Sequence, residues 1–271
     1  MTTIGLQTAK KQFPFLRAAA ASLFVLLLPV FTWLVMGPFS TRFDSFRNRT
    51  IAFVLLAAAG TVLIRRAFPR LSWAAAVFSS VLFQGTAYRL ALFIPEISTY
   101  PFSLGWSEGS RYYYASLYFA RRIYGFWTPL SVLHPTRYLM QAVPFLLPGL
   151  PVLAHRIWQV LLWISLSSLT AYVLVLRLNL KDKLPALLLG VWAFLFLFQG
   201  PVYYHLLVIV IAVVWLFDVK KFWRSLLVVL AASAWAGVSR INWLPVPGML
   251  AAILYFCEVE VRGKKLMNYL L

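Results

Sequence analysis

Glu108 is the residue around which chemistry can be organised. It is one of 7 Asp and Glu in a chain with 25 Lys and Arg, and it sits in a stretch, Leu104 to Pro135, that is too polar to span a bilayer and too aromatic for a linker. Arg111, Arg121, Arg122, His134 and Arg137 follow it closely, and Arg156 and Arg240 lie further on. A carboxylate among guanidinium groups keeps its charge, as an acceptor of a hydroxyl proton must. Forked guanidinium donors in turn match the oxygens of a phosphate. Together these residue types suit an anionic group such as a lipid phosphate at a membrane-edge cleft.

Each residue also has a plainer reading. An acid in a first helical turn favours the helix dipole by about 0.3–1 kcal/mol, and arginines at a membrane interface contact headgroups. His134, before Pro135, suits a hydrogen-bonding turn as well as a metal ligand, and His155 and His205 at span ends read the same way. A divalent cation at Glu108 stays open. The sequence contains no Walker loop, Rossmann glycine fingerprint, HExxH or GxSxG, which leaves soluble-type nucleotide or hydrolase chemistry without support.

The elements that must position these residues are membrane helices. Hydrophobic residues make up 62% of the 271 positions and charged ones 12%, with mean hydropathy +0.81, against about a quarter charged in soluble domains. Cys257 is the single cysteine, so an intramolecular disulfide and a cysteine-based metal site are excluded. The basic excess sets topology and meets anionic membrane lipids; no basic, groove-sized soluble face points to nucleic acid.

The expected fold is all-α, a polytopic transmembrane helix bundle of about eight spans. The apolar runs are Ala18 to Met36, Ile51 to Ile64, Leu71 to Ile94, Ala154 to Leu176, Leu184 to Phe198, Val202 to Phe217, Leu226 to Val238 and Leu244 to Cys257. Three spans occupy residues 1–95, an outward loop with juxtamembrane helices occupies 96–153, and about five spans occupy 154–271. Several runs have only about 15 residues, about 22 Å against a hydrocarbon core of about 30 Å. Their boundaries must therefore extend, with Trp73, Trp127, Trp192, Trp223 and Trp243 as interfacial anchors.

The clusters Arg65, Arg66, Arg70, then Arg177, Lys181, Lys183, then Lys220, Lys221, Arg224, and the tail residues Arg262, Lys264 and Lys265 fall on one side if the N-terminus is cytoplasmic. The stretch around Glu108 then faces outward, as expected for a bacterial inner-membrane protein. Within it, Ser107 or Ser110 can cap a helix with no breaker before Gly125, with Glu108, Arg111 and Ala115 on one face and an aromatic, apolar surface suited to the interface plane. Thr136 can cap a second short helix.

The stretch WSEGSRYYYAS, then HPTRYLMQAVPFLLPG, then AHRIWQVLLWISLSSLTAYVLVLRL resembles the integral-membrane GT-C glycosyltransferases, a superfamily that includes protein O-mannosyltransferases and lipid A aminoarabinose transferases. The resemblance covers about Trp106 to Leu178. It implies transfer of a sugar from a polyprenyl-phosphate donor, with an acid in the first large outward loop as base or metal partner. By position Glu108 matches the second member of the family's acidic pair, Arg156 the arginine opening the next span, and Pro135 the proline before the juxtamembrane helix. The chain departs from the pattern in three respects. Ser107 stands where the first acid is frequent, three spans precede the loop where one is usual, and the chain is short, as in a fragment or degenerate relative. The reading from a different class is a non-catalytic polytopic protein, a partner subunit or transporter-like scaffold, for which only Gln84, Arg89 and Gln199 offer intramembrane polar groups.

Overall fold

The computed structural model describes residues 3–105, 107–200 and 203–259, with the backbone alone before residue 14. Trp106, Pro201, Val202 and the basic tail from residue 260 lie outside the described residues. Among the described residues there are helices and no strands: α1 (Thr3–Met36), α2 (Phe46–Ala67), α3 (Trp73–Ala91), α4 (Glu108–Ser116), α5 (Ala120–Tyr124), α6 (Pro135–Gln141), α7 (Val152–Leu178), α8 (Lys183–Leu197), α9 (Tyr204–Leu216), α10 (Phe222–Ser239) and α11 (Val246–Glu258).

Among the described residues, five helical stretches are long and apolar enough to cross a membrane: Pro14–Met36, Phe46–Ala67, Val152–Leu178, Phe222–Ser239 and Ile241–Glu258. These support an integral, multi-pass membrane protein. Each of the eight expected runs contains a helix among the described residues, but α8 and α9 have 15 and 13 residues, and α3, diluted by Ser79, Ser80, Gln84 and Arg89, is not among the five.

Where a run looked too short, its polar flank extends the helix. At α2 the Ser45 hydroxyl accepts from the Asn48 amide at 3.2 Å, and the Asn48 and Arg49 side chains donate to the Arg42 and Phe43 carbonyls at 2.7 and 2.6 Å. The capped helix starts at Phe46 and runs for 22 residues, about 33 Å at 1.5 Å per residue.

The chain divides into two compact units. The first comprises residues 1–94 and 187–195. In it α2 and α3 approach closely at Gly60, where a Cβ would sit 2.4 Å from Ser80 Oγ. Ser80 donates to the Ala57 carbonyl at 2.9 Å, and the Gln84 amide donates to the Leu56 carbonyl at 2.8 Å. Small residues admit the partner helix and its polar groups are spent on backbone oxygens, as membrane helix pairs require. Phe31 of α1 closes this unit against Phe53 and Tyr88, with ring centroids 5.3 and 4.9 Å apart.

The second unit comprises residues 95–186 and 196–271. Here α7 packs on α9, and α9 on α10 and α11, around Leu206, Ile209, Val213, Ala232, Ala236 and Ala251. Arg177, in the last turn of α7, donates to the Val214 and Phe217 carbonyls at 2.6 and 2.8 Å and to both Glu258 oxygens at 2.5 and 2.8 Å. One side chain thus joins the ends of α7, α9 and α11.

The stretch from Leu104 to Pro135 differs from one continuous helix. α4 ends at Ser116, whose hydroxyl donates to the Tyr113 carbonyl and shares a 2.6 Å hydrogen bond with the Tyr124 hydroxyl. A 3-10 turn at Leu117–Phe119 and the short α5 follow, and Gly125, at φ 80°, ends the run. A hydroxyl that competes for backbone groups is enough to divert a short helix. The expected caps also differ: Ser107 occupies the N-cap of α4 without a side-chain bond, and α6 starts two residues early, at Pro135, with His134 rather than Thr136 at its N-cap.

Candidate functional site

The residues around Glu108 lie within the second unit. Glu108 opens α4 and turns inward, so that Glu108, Arg111 and Ala115, spaced for one helix face, are all buried. From the first turns of α7, Arg156 meets the carboxylate as a parallel fork, Nε to Oε1 at 2.5 Å and Nη2 to Oε2 at 2.9 Å, with both side chains 3% exposed. Its remaining nitrogen, Nη1, donates to the Ser98 carbonyl. The pair is internally balanced. One turn along α4, Tyr112 lies beside it, and burial followed by the Glu108 charge pushes the phenol well above its usual range. The Tyr112 ring stands 5.5 Å from His155, which Phe145 covers at 4.3 Å.

Beside this balanced pair is an unbalanced group of cations. Arg111 is buried and donates to the Ser107 carbonyl at 3.2 Å and to the Leu104 carbonyl at 2.7 Å. Burial and then the neighbouring Arg137 charge hold its guanidinium below the usual range. Arg137, from α6, is buried with its Nε unpartnered, and among the described residues no carboxylate forms an ion pair with Arg111 or Arg137. His134 is pushed down by burial, then by Arg240 and Arg137. It adopts the left-handed conformation (φ 57°) directly before Pro135, a placement disfavoured for a residue with a Cβ.

From α9, Tyr204 and His205 complete the group. The His134 and His205 rings lie 5.7 Å apart, and neither nitrogen of the fully buried His205 has a hydrogen-bond partner. The His205 carbonyl accepts from the Trp235 indole at 2.9 Å, which fixes the start of α9 to α10. Arg240, just past α10, stacks over Tyr203 at 4.7 Å. The chain matches no family model, no curated protein and no solved structure.

The eight residues singled out from the sequence therefore fall into three groups. Glu108 and Arg156 form the ion pair, while Arg111, Arg137, His134 and Arg240 gather around the head of α9. Arg121 and Arg122 stand exposed on α5, where Arg122 Nη1 donates to the Leu146 carbonyl at 3.1 Å. Tyr112, Tyr204 and His205 are the members that sequence reasoning did not assign to the site. The available signal was polar side chains in the opening turn of an apolar helix, which membrane segments rarely carry without a use.

A divalent cation does not fit this donor set. Among the described residues no three His, Cys, Asp or Glu side chains come together, and Arg156 engages both Glu108 oxygens. An anion does fit. Buried guanidinium groups beside each other, with no carboxylate between them, cost free energy that a phosphate would return through charge-assisted hydrogen bonds.

Proposed function

We propose that the chain is a membrane glycosyltransferase of GT-C type, which transfers a sugar from a polyprenyl-phosphate-linked donor to a hydroxyl acceptor on the outer face of the membrane. The observation that carries this reading is the pair of buried, carboxylate-free arginines, Arg111 and Arg137, beside the only buried acid among the described residues. On this reading α3, α8 and α9 complete a bundle of about eight spans, the N-terminus is cytoplasmic, and the membrane is a bacterial inner membrane.

In the transfer, the acceptor oxygen attacks the anomeric carbon and the bond from that carbon to the phosphate oxygen breaks. The polyprenyl phosphate leaves with the electron pair, and Arg111 and Arg137 meet the charge that develops on it. The acceptor proton goes to Glu108, whose oxygens each keep a lone pair beyond those used by Arg156. Arg156 is a positioning residue here, holding the carboxylate in one orientation. Arg240, His134 and His205 line the phosphate side.

The test is consumption of a polyprenyl-phosphate sugar by the reconstituted chain. Glu108→Gln is expected to lower turnover by about 10²- to 10⁴-fold, and Arg137→Gln to raise KM for the donor. Unchanged turnover in folded Glu108→Gln sinks the catalytic reading. One observation favours the second reading, a non-catalytic polytopic protein: a carboxylate gripped at both oxygens by one arginine also serves as a purely structural tie. That reading predicts lost stability without any transferase activity to lose.

A further inference from the structure

The geometry points to a membrane-inserting finger at Ile123–Leu133, which enters the interfacial layer of the bilayer that α7 crosses, with Arg121 and Arg122 at its base against anionic lipid phosphates. The segment contains no charged residue. It begins in the last residues of α5, reverses at Gly125 in the left-handed region, and forms no further helix before α6. Its large side chains nevertheless point outward: Trp127 is 79% and Val132 89% exposed, and Phe126, Leu130 and Leu133 are exposed beside them. Apolar exposure of this extent, concentrated in one short segment, is a contact surface rather than ordinary scatter.

Two features select a lipid surface as the occupant. The first is continuity. Arg122 is bonded to the Leu146 carbonyl, and the exposed side chains of Leu146 and Leu147 lead to Val152 and Leu161 on the outer face of α7. The finger therefore continues a surface that already faces acyl chains. The second is charge order. Two exposed guanidinium groups precede an uncharged, aromatic-rich tip, the arrangement in which cations stay at phosphate depth while Trp and Phe sit deeper. The finger is independent of the transferase reading, since it requires no role for Glu108, Arg111 or Arg137.

The single cysteine, Cys257, makes depth measurement direct. In a Cys257→Ser background, a nitroxide is placed by Val132→Cys, with Leu161→Cys as the lipid-facing reference and Lys220→Cys as the aqueous one. Collision rates with oxygen and with a water-soluble nickel chelate are read in phosphatidylcholine vesicles, with and without phosphatidylglycerol. The expected oxygen-to-nickel ratio at position 132 is several-fold above that at 220, approaches that at 161, and rises further with phosphatidylglycerol. The phosphatidylglycerol increment should vanish in Arg121→Gln with Arg122→Gln. A ratio equal to that at 220 overturns the finger. Shielding from both reagents overturns it in favour of a protein contact, and a ratio insensitive to phosphatidylglycerol overturns the role given to the arginines.

Discussion

Replacing Glu108 with Gln should be one of the most destabilising single changes in the stretch from Leu104 to Pro135, and removing its partner as well should relieve part of the loss. Both side chains are 3% exposed and joined by bonds of 2.5 and 2.9 Å. Breaking a buried pair by removing one partner costs about 3–5 kcal/mol, because the other charge stays buried without compensation. Here the Gln carbonyl can still accept from one guanidinium nitrogen and Arg156 keeps its bond to the Ser98 carbonyl, which places the cost near the lower end, about 3 kcal/mol. That corresponds to about a hundredfold in the folding equilibrium. Adding Arg156→Met removes the stranded cation with a side chain of similar length, so the double variant should be about 1–2 kcal/mol more stable than Glu108→Gln alone. Unfolding in mixed micelles with increasing dodecyl sulfate, followed by fluorescence, gives both numbers. A loss below about 1 kcal/mol for Glu108→Gln, or additive single and double variants within about 0.5 kcal/mol, would refute the buried, coupled ion pair.

Three further outcomes follow from the same structure. Gly60→Ala places a methyl group 2.4 Å from Ser80 Oγ; loss of about 1–3 kcal/mol from forced repacking is expected in the same micelle titration. Arg177→Gln frees two carbonyls and Glu258, with an expected cost of about 1.5–3 kcal/mol, reduced toward the lower figure by the partial exposure of the pair. His134, whose folded-state pKa lies below the ordinary value of 6.5, binds its proton less readily when folded than when unfolded. Stability should therefore be unaffected by this group above pH 6.5 and fall as pH drops through 6.5 toward the folded value; His134→Gln should flatten that acid slope in a pH series of melting temperatures.

Much of the helical architecture is legible in the sequence because membrane helices announce themselves by apolar runs. Their ends are less legible, since Phe46 to Thr50 reads as loop by polarity but is helical through the Ser45 cap and the bonds from Asn48 and Arg49. The break after α4 at Leu117 depends on the Ser116 hydroxyl finding Tyr124, eight residues away, and a breaker search based on Gly and Pro does not detect such a contact. At the site, the α4 face carrying Glu108 and Arg111 follows from helical periodicity alone. The resemblance singled out Glu108 and Arg156 separately, but their partnership across 48 residues, like the convergence of Arg111, Arg137 and His205, is a tertiary event with no local signature. Sorting seven basic candidates into an ion-pair partner, a buried cluster and two exposed arginines required coordinates, because Arg121 and Arg137 are indistinguishable as letters.

The role of Arg111 and Arg137 is tested most directly by binding of polyprenyl phosphate to the purified chain in nanodiscs, comparing wild type with Arg137→Gln. Arg137 has an unpartnered Nε and no carboxylate, so removing its charge should leave the empty protein at least as stable as wild type. The same change should weaken lipid-phosphate binding by about tenfold or more, the value of one charge-assisted contact. Equal binding by the two proteins, or a loss of binding that only follows a loss of stability, would contradict the assignment of Arg111 and Arg137 to the phosphate.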